Sequence, residues 1–87
     1  MTKESIDFAI DENVRGGRCP LPILRAKRAL SQLQAGQVVR VISTDPNSHD
    51  DFLAMLKHVP HELVYFDSLP SEIEHYSKEF HFYIRKG

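Results

Sequence analysis

Eighty-seven residues with a formal net charge of −1, 41% hydrophobic and 26% charged, describe one small globular domain, residues 1–87, and leave no room for a second. A single cysteine excludes an intrachain disulfide framework. No apolar run approaches the roughly 18 residues of a membrane span, and the opening Met1-Thr2-Lys3-Glu4-Ser5 lacks the apolar core of a secretory signal, so a cytoplasmic home in which a lone thiol stays reduced is expected.

Ser5 to Asp11 alternates, with Ile6, Phe8 and Ile10 on one face, and predicts a half-buried first strand. Glu12 to Arg18 reads as a loop. Pro20 to Leu33 reads as a helix, with Ile23, Ala26, Leu30 and Leu33 forming an apolar stripe, Leu24 beside it, and Gly36 as its stop. Val38 to Ile42 is β-branched and predicts a buried second strand. After the turn at Thr44-Asp45-Pro46-Asn47, a second helix is expected from about Ser48 to Lys57, with Phe52, Met55, Leu56 and Val59 inward and Pro60 ending it. Leu63 to Phe66 and Phe80 to Arg85 read as the third and fourth strands. Asp67 to Glu79 admits either a short helical turn at Pro70 or an extension of the flanking strands into a long hairpin. The order β-α-β-α-β-β predicts an α/β (α+β) chain with two helices on one face of a small mixed four-stranded sheet.

The stretch Gly16-Gly17-Arg18-Cys19-Pro20-Leu21-Pro22 joins the first strand to the first helix and holds the single cysteine. Proline favours the first helical position, and the residue before a proline is held out of α geometry, so Cys19 is expected as the last non-helical residue. Pro22 falls within the first turn and loses no intrahelical bond, leaving Leu21 and Ile23 to offer amides near the sulfur. A thiol at a helix N-terminus has its pKa lowered, and the thiolate is the nucleophile. The plainer reading is a small buried apolar residue. Asn13 to Thr44 contains no acid but six bases, Arg15, Arg18, Arg25, Lys27, Arg28 and Arg40. Such a segment is either a solvated face or a field that stabilises a sulfur anion and steers acidic partners.

Gly16-x-x-Cys19-Pro20-x-Pro22 resembles the Cys-Pro-x-Pro signature of the TusA/SirA-like sulfur carrier family. Lys27 with Ala29-Leu30, Gly36, Asp45-Pro46 with Asp51, His61-Glu62-Leu63 and the ending Tyr83-Ile84-Arg85-Lys86-Gly87 extend the likeness over essentially the whole chain. The resemblance implies a two-layer α/β sandwich and a sulfurtransferase-type carrier, a persulfide relay more than a turnover enzyme. Sulfur would be held as a persulfide on Cys19, with no other cofactor, between a cysteine desulfurase as donor and a downstream acceptor protein. Destinations in the family include 2-thiouridine in tRNA. Gly16, Arg18, Pro20 and Pro22 would then shape the loop and helix start, and Arg15, Arg25, Lys27 and Arg28 would meet partners. Asn13 and Gly17 depart from the usual pattern, and two adjacent glycines are expected to loosen the loop.

Other chemistries are weaker. His58 and His61 flank the helix-ending Pro60 and lack a second cysteine for a zinc set, so no metal is expected. A cysteine hydrolase needs a base beside Cys19, and nothing in the chain places one of the five histidines there. The alternative of another class is a small RNA-binding or protein-interaction module using the basic first helix, with Cys19 carrying nothing. A pI near 6.5 stands against direct nucleic-acid binding. A monomer is expected.

Overall fold

The computed structural model describes residues 6–87. The elements run β1 (Ile10–Val14), α1 (Leu21–Gln32), β2 (Val38–Ser43), α2 (Ser48–Leu56), β3 (Glu62–Pro70) and β4 (Lys78–Arg85). They build a four-stranded mixed sheet in the order β1-β2-β4-β3. β1 lies parallel to β2, β2 antiparallel to β4, and β4 antiparallel to β3. The two helices cover one face, as expected from the element order.

Register explains the layering. Val39 faces Ile84 and Val41 faces Phe82 across the two central strands. These four side chains are fully buried, and they meet Ala26 and Leu30 of α1 and Phe52 of α2 in one cluster. The Phe52 and Phe82 rings lie 4.4 Å apart, a distance at which aromatic pairs attract beyond their area burial. The buried side of α1 is Pro22, Ala26, Ala29 and Leu30, with Leu33 also buried just past the helix end. Leu24, expected beside the stripe, is 55% exposed, so the buried stripe lies toward Ala29 instead.

One expectation needs correction. The first strand does not span 5–11. Ser5 lies outside the described residues, and pairing begins at Ile10 and runs through Asp11, Glu12 and Asn13 to Val14. Polar residues there are tolerated because each acid finds a base: Asp11 accepts from Arg40, and Glu12 from Arg25 of α1. Phe8 does not enter the core beside Ile10. It lies over the Arg40 guanidinium at 4.5 Å, in an edge-type pair with Tyr83 at 6.0 Å between ring centres. Of the two alternatives for Asp67 to Glu79, the hairpin holds. β3 continues to Pro70 opposite Lys78, with an irregularity between Leu63 and Tyr65. Proline is accepted there because β3 is an edge strand and Pro70 is its last residue.

The face away from the helices carries rows set by register: Asp11, Arg40, Tyr83, Tyr65, and then Asn13, Ile42, His81, Asp67. Ile42, Glu79, His81 and Tyr83 on this side are as buried as the helix-side core.

Candidate functional site

Cys19 is exposed and is the only free thiol. Two structures hold its loop. On one side, Gly16 donates from its amide to Thr44 Oγ1 at 2.9 Å, and Gly17 donates to the Val14 carbonyl at 3.0 Å. Gly16 has φ 83, the left-handed region that glycine enters freely. A Cβ on Gly17 would stand 2.8 Å from Leu21 Cδ2 and 2.9 Å from Val14 Cγ1. The glycine pair is therefore a device for a left-handed turn and a close approach; the expectation of a loosened loop is replaced by a tight one.

On the other side, Asp45 organises the turn between β2 and α2. One carboxylate oxygen accepts the Cys19 amide at 2.9 Å and the other accepts the Asn47 amide at 3.0 Å. Its carbonyl accepts both the amide and the hydroxyl of Ser48 at the start of α2. Asp45 thus ties the cysteine loop to the second helix through two residues far apart in sequence.

The helix start differs by one residue from expectation. Pro20, not Cys19, takes the N-cap, the Cys19–Pro20 peptide is cis, and Leu21 is the first helical residue. The Leu21 amide donates to the Arg18 carbonyl at 2.7 Å, so it is not turned to the sulfur. Pro22 is buried in the core side of α1, which fixes the first turn on the sheet.

The electrostatics of the thiol reverse the expectation of a lowered pKa. The Cys19 sulfur and a carboxylate oxygen from each of Asp45 and Asp51 lie within 4.8 Å of one another. The thiol is pushed above its ordinary value, first by hydrogen bonding to the Asp51 carboxylate, with smaller contributions from desolvation and from the charges of Asp51 and Asp45. Like charge disfavours a thiolate whatever the helix end contributes. The charges that shift the thiol are these two carboxylates and not the bases close in sequence.

Half of those bases are already engaged inside the chain. Arg15 grips Glu79 with two nitrogens at 2.9 and 2.8 Å and reaches Glu72 at 2.9 Å. Arg25 pairs with Glu12, and Arg40 with Asp11. Arg15 keeps 17% of its side chain exposed and Arg25 45%. Arg18 stands in the cleft with Cys19, while Lys27 and Arg28 are exposed along α1. His61 accepts the Gly87 amide through Nδ1.

The Arg15 partner Glu79 is 1% exposed. Its carboxyl is held well below the ordinary 4.5, at about 2, chiefly by hydrogen bonding to Arg15; burial opposes this, and His81 and the Glu72 amide assist. His81 Nε2 lies 2.6 Å from the same carboxylate, and its buried Nδ1 has no hydrogen-bond partner among the described residues. Sequence reading missed this network, because Arg15 and Glu79 are 64 residues apart and neither sits in a motif.

Cys19 opens into a cleft of about 390 Å³ lined by Gly17, Arg18, Asp45, Pro46, Asn47 and Tyr76. Five of these come from the two loops already described. Tyr76 comes from the tip of the β3–β4 hairpin and was not among the expected site residues.

The chain from residue 11 to 86 matches the sequence model of the family described as sulfurtransferase TusA. It is 42% identical over 81 residues to the sulfur carrier protein TusA of Allochromatium vinosum, covering 93% of this chain and 97% of that one. The fold is similar to the crystal structure of a SirA-like protein from Desulfitobacterium hafniense, with a TM-score of 0.59 and 27% identity over 85% of this chain and 95% of that one. Among the described residues no helix is long and apolar enough to cross a membrane.

Proposed function

The chain belongs to the TusA sulfurtransferase family, and from that premise we propose that it accepts a sulfane sulfur on Cys19 and hands it to an acceptor protein. The observation that carries this reading is the placing of the single cysteine: exposed, at the foot of an open cleft, on a loop held from both sides. A carrier thiol needs access to two proteins in turn and no neighbouring thiol that would resolve the persulfide as an internal disulfide.

The transfer balances simply. Cys19, as thiolate, attacks the outer sulfur of a donor persulfide. A new sulfur–sulfur bond forms at Cys19, the donor's own sulfur–sulfur bond breaks, and the donor cysteine leaves as a thiolate. The second transfer is the same step with Cys19 as the leaving group. No electrons are gained or lost by the pair. A cysteine desulfurase is the donor of this reading, and an acceptor of the tRNA-thiolation type, in the cytoplasm, is its destination.

The raised pKa of Cys19 lowers its thiolate fraction in the resting protein. Exchange depends on the thiolate fraction, so the step is favoured when a docked partner brings positive charge against Asp45 and Asp51. Arg18, Lys27 and Arg28 remain to meet a partner. The pairing of Arg15, Arg25 and Arg40 within the chain halves the number of cations in the basic segment that are free to meet phosphate.

Incubation with a cysteine desulfurase and cysteine, followed by intact mass, tests the reading. The parent is expected to gain one sulfur, removable by a reductant, and Cys19→Ser to gain none while keeping the same circular dichroism. Equal gain in both proteins, or none in the parent, overturns it.

A further inference from the structure

The hairpin tip between β3 and β4 reaches a site to which its sequence position gives no clue. Arg15, the last residue before the cysteine loop, is held by Glu79 on β4 and by Glu72 on the tip, and the Glu72 amide donates to Glu79 at 3.0 Å. The tip closes on itself where the Ser71 amide meets the Ser77 carbonyl. Ile73 comes within 3.9 Å of where a Cβ on Gly16 would stand. The tip is therefore tied to the cysteine loop through Arg15 and Glu72, with Ile73 beside Gly16.

At its far end His75 takes φ 73, a left-handed conformation that a non-glycine residue keeps only where its surroundings over-determine it. The next residue, Tyr76, lines the Cys19 cleft. It also lines a second groove with Thr44, Ser77, Lys78 and Phe80, so with Pro46 it forms the ridge dividing the two. Its hydroxyl meets the Gly16 carbonyl only at 3.5 Å, the outer limit of a hydrogen bond, and the side chain remains one of the exposed large apolar groups of the molecule. An exposed tyrosine on a fixed ridge beside a nucleophile has the character of a binding anchor: large contact area, few rotatable bonds, and one end already wet.

We propose that Tyr76 is a partner-binding residue, presented by the β3–β4 tip, against which a protein persulfide donor seats the segment that brings its sulfur to Cys19. The proposal rests on the carrier reading of Cys19 and adds to it a recognition element outside the cysteine motif. The ring, not the hydroxyl, does the work, because the hydroxyl's one contact is at its limit. The occupant is an extended protein segment. A cleft walled by Arg18, Asp45 and Asn47 with Pro46 and Tyr76 between offers polar groups for a backbone and an apolar ridge for a side chain.

The test compares two donors on the same chain. A cysteine desulfurase with cysteine requires docking; glutathione persulfide delivers the same sulfur without a protein surface. Loading of Cys19 is followed by intact mass for the parent, Tyr76→Ala and Tyr76→Phe. Tyr76→Ala is expected to load at least about fivefold more slowly from the desulfurase, recovered at high desulfurase concentration, as loss of an interface aromatic requires. From glutathione persulfide it is expected to load within about twofold of the parent. Tyr76→Phe should follow the parent with both. Unchanged loading of Tyr76→Ala by the desulfurase overturns the proposal, and so does an equal loss with both donors, which would place the effect on the sulfur or the loop. A parent that neither donor loads overturns the carrier reading itself, and that failure is visible before any variant is compared.

Discussion

Val39, Val41, Phe82 and Ile84 on the helix side of the sheet and Ile42, Glu79, His81 and Tyr83 on the other are all between 0 and 5% exposed, yet they are buried by opposite means. The helix side is covered by apolar area, which is non-directional and roughly proportional to the surface removed from water. The other side carries no helix among the described residues. Arg15, Arg40, Phe8 and the hairpin tip cover it, and its buried carboxylate and imidazole require partners at defined distances. The difference shows where precision is located. The apolar side decides whether the chain folds. The polar side decides how the cysteine loop, through Arg15, sits relative to the tip that carries Tyr76.

Removing the ring at the centre of the apolar side breaks the comparison most severely. Phe82→Ala is expected to destabilise by about 3–5 kcal/mol, as large-to-small core changes do, a large part of the 5–15 kcal/mol typical of a domain. Urea unfolding measures it. Sulfur loading per folded molecule should be unchanged, since the Phe82 ring packs in the core with Phe52 and Phe66.

Glu79→Gln strikes the polar side and should separate the two effects. It leaves Arg15 facing a neutral amide in a buried setting, and is expected to cost about 2–3 kcal/mol, below the range for breaking fully buried pairs because Arg15 is partly exposed. The same variant checks acid sensitivity. The folded Glu79 carboxyl titrates at about 2 against an ordinary 4.5. The unfolded chain therefore binds the proton first, and the contribution of Glu79 is complete above about pH 4.5 and lost as pH falls toward 2. In Glu79→Gln the fall in stability across that interval should be shallower than in the parent. An equally steep fall would show that other carboxylates govern acid unfolding. Unlike Phe82→Ala, Glu79→Gln should also slow loading by a desulfurase per folded molecule.

The smallest change sits where the two sides meet, beside the sulfur. Asp51→Asn removes the principal cause of the raised Cys19 pKa. Alkylation by iodoacetamide at neutral pH should become severalfold faster, and the pH profile of alkylation should shift to lower pH, with stability nearly unchanged. An unshifted profile would mean that Asp45 or the helix end governs the thiol.

The sequence made these regions legible to different degrees. The apolar side shows in local periodicity: the β-branched run at Val38–Ile42, the alternation near Phe82 and the α1 stripe are each sufficient to identify their elements. β1 was misplaced because Asp11, Glu12 and Asn13 carry no apolar signal, and the arginines that make them acceptable in a strand lie on β2 and α1. The acidity of Cys19 was inverted for the same reason. Arg18 is adjacent in the chain, whereas Asp45 and Asp51 arrive from another loop and helix, and only their place in the family resemblance marked them. Tyr76 left no signal in a segment that admitted two structures. Periodicity reports which face is buried; it cannot report which distant charge or ring a loop will meet.

The strand order carries one further consequence, for synthesis. β4 is made after the other five elements, yet it is a central strand, and among the described residues β3 pairs only with β4. A nascent chain can close β1 on β2 early, but it holds an unpaired β3 and an open inner edge of β2 until residue 85 has left the ribosome. Glu79, which anchors Arg15, arrives in that same final stretch. The thiol at residue 19 is thus exposed to solvent long before its cleft exists, and a sulfur donor that reads the ridge at Tyr76 would pass over every unfinished copy.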